Sequence, residues 1–172
     1  MDIVIREASV KDAEEIAKVS VSSWKTAYQG ILPNEFLTKL DYHSKTNKWN
    51  HVILEKQGKV LVAEENGSVI GFIHGGSERT NEYFYQGELY AIYLYKDYQG
   101  GGIGRRLIRE LAGKLKETGM GSLLVWVLSE SKSREFYEKL GGRKVDHKLI
   151  YIGEKELTEV AYGWADINEC LK

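Results

Sequence analysis

The sequence is short of several things at once. It has one cysteine, one proline and almost no net charge. Cys170 alone closes no intramolecular disulfide, which suits a reducing compartment. Twenty-four lysines and arginines against 25 aspartates and glutamates leave a net charge of −1. Phosphate binding usually shows as a basic excess, so nucleic acid is not the expected main partner. No apolar run approaches the ~18 residues of a membrane span. The opening stretch MDIVIREASVKDAEEIAKV carries Asp2, Arg6 and Glu7 and lacks the basic-then-apolar order of a signal peptide. The expectation is a cytoplasmic protein with no membrane partner. His43 and His51 lack ligand spacing, and His74 and His147 stand alone, so no metal is expected. No internal repeat, linker or low-complexity segment divides the chain. At 172 residues it suits one domain spanning 1–172, large enough to need no disulfide or metal staple.

What is present alternates between two periods. Ile3, Val4 and Ile5 open a short strand. Ser9 and Asp12 read as a capping box for an amphipathic helix over 11–28, with Ala13, Ile16, Ala17, Ser20, Trp24, Ala27 and Tyr28 at steps of three and four. Gly30 ends it, Pro33 opens a short second helix at its first position, and Trp49, Val52 and Ile53 suggest a third. Val60–Ala63 and Val69–His74 are strands joined at Glu65-Asn66-Gly67-Ser68, because Asn-Gly accepts positive φ at both central positions. Gly75 to Gln86 reads as a loop or ragged hairpin. A strand over 88–94, a helix over 103–118, an apolar strand over 123–128 and a short helix from Ser131 to Leu140 follow. Strands near 144–152 and 157–164 end the chain.

The segment YKDYQGGGIGRRLIREL concentrates four glycines where strand 88–94 turns into helix 103–118. Free backbone N–H groups and the positive end of the helix dipole make such a turn an anion site, and side chains would keep a phosphate off it. Arg105 and Arg106 place further positive charge in the first turn, which a bound anion would offset. The nucleoside-triphosphate pattern Gly-x-x-x-x-Gly-Lys-Ser/Thr is absent. The dinucleotide pattern Gly-x-Gly-x-x-Gly fails as well, and the late position of the unit does not suit a doubly wound fold.

Gln-x-x-Gly-x-Gly does match, as Gln99-Gly100-Gly101-Gly102-Ile103-Gly104. With SREFYEKLGG at 133–142 some thirty residues later, the chain resembles the GCN5-related N-acetyltransferases (GNAT) over essentially its whole length. The resemblance implies an α/β (α+β) fold with a central, mixed, mostly antiparallel sheet of six to seven strands flanked by about four helices. It implies an enzyme moving an acetyl group from acetyl-CoA to a primary amine of a small-molecule or peptide acceptor. In that reading the backbone of Gly100, Gly101, Gly102, Ile103 and Gly104 holds the pyrophosphate beside Gln99 and Arg105, and Ile92, Tyr93 and Leu94 pair with the pantetheine arm. Many members carry asparagine where Ser131 stands, so Ser131 and Ser133 would meet that arm with a shorter reach. A homodimer is compatible with such a domain.

Acyl transfer to an amine needs a neutral amine, a stabilised oxyanion, two held reactants and a protonated leaving thiolate. The resemblance puts Tyr137 near the thioester sulfur as the proton donor. Glu88, between Gly87 and Leu89 and eleven residues before Gln99, where some family members carry a base, is either that base, an isolated carboxylate acting through water, or an exposed strand-end charge. A backbone N–H near Tyr93 or Leu94 would stabilise the oxyanion. Trp24, Tyr28, Tyr90 and Tyr93 are candidates for the acceptor site, with core packing the favoured reading for Trp24. Cys170 has no histidine beside it, which favours direct transfer over an acetyl-cysteine. The rival readings are a protein that binds acetyl-CoA without catalysis, as a sensor or scaffold, and, more remotely, a nucleotide-binding regulator.

Overall fold

The computed structural model describes residues 2–172. Seven strands form one sheet in the order β1-β2-β3-β4-β5-β7-β6: β1 Ile3–Glu7, β2 Lys59–Glu65, β3 Ser68–Ser77, β4 Gly87–Leu94, β5 Leu123–Leu128, β6 Arg143–Ile152 and β7 Lys155–Trp164. Five helices surround it: α1 Ala13–Ala27, α2 Asn34–Thr38, α3 Tyr42–Leu54, α4 Ile103–Glu117 and α5 Ser133–Lys139. Every neighbouring pair is antiparallel except β4 and β5, which α4 connects in parallel. This is the mixed, mostly antiparallel sheet that the resemblance implies, with one helix more.

The local signals act as chemistry requires. Asn66 and Gly67 take φ of 50° and 82°, the positive pair of a tight hairpin between β2 and β3. Asp12 accepts the Ser9 backbone N–H at 2.7 Å and holds Arg6 of β1 through two further contacts of 2.8 Å. A single 3-10 turn, Val10–Asp12, precedes α1. Pro33 lies one residue ahead of α2 rather than inside it. Strand β3 runs on to Ser77, so the loop shrinks to 78–86, because Lys59–Val60 of β2 and Gly87–Leu89 of β4 continue the pairing.

The sheet separates two cores. Leu61, Ile73, Leu89, Leu123, Val125 and Val160 pack on one face against Leu107, Ile108, Leu111 and Leu115 of α4. Val60, Val62 and Phe72 pack on the other against Ile16, Ala17 and Val19 of α1 and Trp49 of α3. A third cluster joins Leu32 and Leu37 to Leu128 and Leu157 at the far end of that second face.

One irregularity shapes the middle of the sheet. His74 of β3 faces Ala91 of β4, while the next residue, Gly75, faces Leu89. Tyr90 is therefore an extra residue, a β-bulge that bends β4. At the same point the parallel pairing stops: β4 meets β5 only at Gly87–Leu89 against Leu123–Val125. Beyond it β5 stays with β7 and β4 stays with β3, so the sheet opens into a V.

Candidate active site

The open side of that V is lined by backbone. Tyr95 donates its N–H to the Ile70 carbonyl of β3. Along an extended strand these directions alternate, so the N–H and C=O groups of Ile92 and Leu94 face the gap toward β5. The Leu94 carbonyl accepts Gln99 Nε2 at 3.1 Å and Ser23 Oγ at 3.3 Å. Gln99 thereby braces the end of β4 against the loop that follows it.

In that loop Gly100 and Gly102 take φ of 79° and 86°. A β-carbon on Gly100, Gly101 or Gly102 would meet nothing within 4 Å. The turn needs glycine at 100 and 102 for conformation, while open space lies over all three. Gly104 differs: a β-carbon there would come 3.2 Å from Phe136 of α5, so this glycine lets the starts of α4 and α5 close on each other. Arg105 is exposed beside the loop. Arg106 donates its Nη2 to the Ile3 carbonyl at 2.9 Å, which ties α4 to β1. Loop, helix start and gap therefore fit a pyrophosphate followed by an extended arm bearing amide groups.

Tyr137 reaches the gap from α5, on the side of α4. The helix is pinned to β7 by Trp164 Nε1 on the Leu140 carbonyl, 2.9 Å, and by Tyr162 between Arg134 and Glu138, 3.1 and 2.6 Å. Tyr137 is buried. Burial, reinforced by nearby Tyr28, raises its pKa above the ordinary phenol value, so the proton stays on. From the opposite face come Tyr28 and Tyr93, whose hydroxyls lie 3.3 Å apart. Burial raises both, and the charge of Tyr137 would raise Tyr93 further. Three protonated phenols thus converge where β4 and β5 part.

Glu88 is not the isolated carboxylate that the sequence suggests. It is buried, and Arg79 holds both of its oxygens, Nη2 at 2.6 Å and Nε at 3.3 Å, with the Arg79 backbone N–H adding a third contact at 3.2 Å. Arg79 lies in the loop before β4, where nothing in the sequence links it to Glu88. Glu78, beside it, caps the same loop by accepting the Thr80 and Asn81 backbone N–H groups at 2.9 and 2.6 Å. Tyr90 donates its hydroxyl to the Ser77 carbonyl, and the Arg79 guanidinium sits 4.4 Å from its ring centre. Ser131 Oγ accepts the Ser133 backbone N–H at 3.1 Å, a cap on α5.

A carboxylate that sequence reasoning missed stands nearby. Glu159 of β7 shares a cavity of about 220 Å³ with Arg79, Glu88, Tyr90, Trp126 and Lys148. Its one ion-pair partner, Lys148, is loose at 3.9 Å. Burial raises the Glu159 pKa, Glu88 adds to the effect, and Lys148 and Arg79 oppose it. Its charge is also felt at Tyr28. The only signal in the sequence is one acid within the otherwise apolar LTEVAYGW. Trp24 is half-buried between Tyr28 and Phe36, with ring centres at 4.8 and 6.2 Å. Among the described residues no group of histidine, cysteine, aspartate or glutamate is arranged to hold a metal.

The acetyltransferase (GNAT) family model matches residues 21–142. The chain belongs to that family. It is 37% identical over 166 residues to the uncharacterized N-acetyltransferase YuaI of Bacillus subtilis, covering 96% of this chain and 95% of YuaI. It is 27% identical over 152 residues to the spermidine N(1)-acetyltransferase of Thermoplasma acidophilum, covering 85% and 91%. Among solved structures, the PaiA N-acetyltransferase of Thermoplasma acidophilum in complex with coenzyme A superposes with a TM-score of 0.70 at 25% identity, covering 92% of this chain and 98% of that one. The chain is an acyltransferase of the GNAT fold, as its motifs imply, and its acceptor amine is unidentified.

Proposed function

We propose that the chain moves the acetyl group of acetyl-CoA directly to a primary amine within the gap between β4 and β5, with Tyr137 as proton donor and Glu159 as proton acceptor. One observation carries the reading: the gap runs from the glycine turn to a buried, protonated phenol at Tyr137. Acetyl-CoA supplies an activated acyl group on a thiol leaving group. Gly100–Gly104 with Arg105 would hold its diphosphate, and Ile92 and Leu94 would hold its arm as an added strand pairs with a sheet. The Leu94 N–H is the donor best placed for a developing oxyanion. Ser131, occupied as a cap, is left a minor contact.

The proton acceptor must be a carboxylate free to take a proton. Glu88 is held by two guanidinium nitrogens and a backbone N–H, which occupy its oxygens and fix it in place. Glu159 has a raised pKa, a loose partner and electrostatic contact with Tyr28. Acid and base would then act from opposite faces of the sheet, Tyr137 on the thiol side and Glu159 on the amine side. Glu88 would position Arg79 across the cavity mouth.

Two measurements test the activity. Acetyl-CoA at 100 times its dissociation constant should raise stability by about 2.7 kcal/mol, with ATP and NAD giving no shift. Thiol release across free amines, polyamines, amino acids and peptides should reveal turnover. Binding without turnover on any amine would leave a sensor or scaffold, and no binding would remove the reading.

A further inference from the structure

A broad cleft of about 970 Å³ lies on the α1–α3 face and shares Arg79 and Tyr90 with the Glu159 cavity. Its charge is unlike that of the chain. Lys45, Lys48, Lys56, Lys59 and Arg79 line it against the single carboxylate Glu7, whereas the whole molecule carries −1. Glu7 is already paired with Lys114 at 3.0 Å. Lys45 and Lys48 form no ion pair with any described residue. Lys45 is half-buried, 5.5 Å from the ring centre of Trp24, and burial followed by the charge of Lys48 lowers its pKa. Lys48 lies 5.4 Å from the ring centre of Trp49. A half-buried ammonium with no counter-ion is costly unless something anionic visits it.

The cleft ends at the reacting gap. Tyr93 and Trp24 line it, and the Tyr93 hydroxyl meets Tyr28 beside the Tyr137 cluster. Lys45 and Tyr28 both lie against the indole of Trp24, at 5.5 and 4.8 Å from its ring centre. A polyamine would place a second cation among these lysines, which like-charge repulsion opposes. Glu78 is occupied by backbone N–H groups and Glu88 by Arg79, which leaves Glu159 alone to meet the reacting amine and no carboxylate for a second cation.

We infer that the acceptor is a small amine bearing a carboxylate or phosphonate, whose anionic end is read by Lys45 and Lys48 with Arg79 while its amine faces Glu159. The inference rests on the transferase reading above. The same cations also disfavour the ammonium form of the acceptor and so raise the share of neutral amine able to attack.

The test compares matched pairs. Phenylalanine and methionine are set against their primary amides, 2-aminoethylphosphonate against ethanolamine, and spermidine stands alone. The anionic partner should be preferred at least tenfold in kcat/KM, and the preference should narrow at high salt. The carboxylate and phosphonate arms tell which anion is favoured. In the double variant Lys45→Gln, Lys48→Gln, kcat/KM for the anionic acceptor should fall by ~10- to 100-fold, the worth of charge-assisted contacts. Its acetyl-CoA affinity should stay unchanged. Calorimetry on the coenzyme A complex gives a second readout: the anionic amine binds wild type and loses affinity in the double variant. Preference for amides or spermidine overturns the inference alone, as does an unaltered ratio in the double variant. Acetyl-CoA binding with no turnover of any amine overturns the transferase reading and the inference with it.

Discussion

At the scale of single residues, the gap needs one group that keeps its proton and one that can take one. Tyr137→Phe keeps the buried ring and removes only the hydroxyl, so stability and acetyl-CoA affinity should barely move. A thiol of pKa ~8.5 is a stronger acid than a buried phenol, so Tyr137 helps chiefly by hydrogen bonding to the thiolate as it departs. Turnover should fall near the low end of the ~10² to 10⁴-fold range for a positioned acid. Full turnover in Tyr137→Phe would make it a packing residue. For the base, Glu159→Gln should lower kcat by ~10²-fold or more, and its loss should flatten the acid limb of the rate. The sign follows from its raised pKa: activity rises with pH through the Glu159 value, which lies above the ordinary carboxylate range. Glu88→Gln should act mainly on KM of the acceptor, by freeing Arg79. The reverse ranking of the two variants would return the base to Glu88. Tyr137 and Glu88 are visible in the sequence because they sit at fixed steps from the glycine motif. Glu159 and Arg79 are not, because their relation to Glu88 exists only after β7 and the 78–86 loop are brought to β4.

At the scale of elements, the glycine turn was legible because glycine's conformational range is its signal, whereas the bulge at Tyr90 was not. A bulge is a matter of which strand has one residue too many, and ELYAIYL looks regular by itself. The two glycine roles in the turn can be separated by substitution. Gly102→Ala meets open space but must hold φ near 86°, so it should cost roughly 1 kcal/mol in a denaturant titration. Gly101→Val has open space and no positive φ, so the fold should lose little, while acetyl-CoA binding by calorimetry should fall at least tenfold. Unchanged affinity in Gly101→Val would place the diphosphate elsewhere. The expectation of a polar loop from residue 75 failed for a related reason. Gly75 and Gly76 read as breakers, yet a β-carbon on Gly75 would come 2.8 Å from the Glu88 carbonyl and one on Gly76 2.9 Å from the Tyr90 hydroxyl. Those glycines serve close strand packing instead of ending the strand.

Across the whole molecule, the outer edge of the sheet is fastened by a charged knot. Arg6 of β1 binds Asp12 ahead of α1 and Glu64 of β2 at 2.8 and 2.6 Å. The bond to Arg6 outweighs burial and holds the Asp12 carboxyl below its ordinary range. A depressed carboxyl stabilises the fold above its unfolded pKa and ceases to do so as pH falls through the folded value. Asp12→Asn should therefore cost about 1–2 kcal/mol near neutrality, discounted for the exposure of Arg6. The difference from wild type should shrink below pH ~4. A constant difference down to pH 2 would mean that packing, and not charge, joins β1 to the rest. The strands and helices themselves followed from hydrophobic periodicity, and the sheet order, with β7 inserted between β5 and β6, did not, since antiparallel neighbours leave no mark on their own sequences.

The V between β4 and β5 also has a consequence for how the molecule breathes. Three residue pairs are all the backbone pairing that joins the β1–β4 half of the sheet to the β5–β6 half. Amide protons facing the gap at Ile92 and Leu94 have no sheet partner and should exchange with solvent quickly, while those of Ala91 and Tyr93, turned to β3, exchange slowly. A donor lying in the gap becomes a temporary strand, closing an edge that lies inside the protein instead of at its rim. Exchange at Ile92 and Leu94 should then slow more than anywhere else when acetyl-CoA binds. The opening that admits the reactant is thus also the seam along which the empty protein is softest.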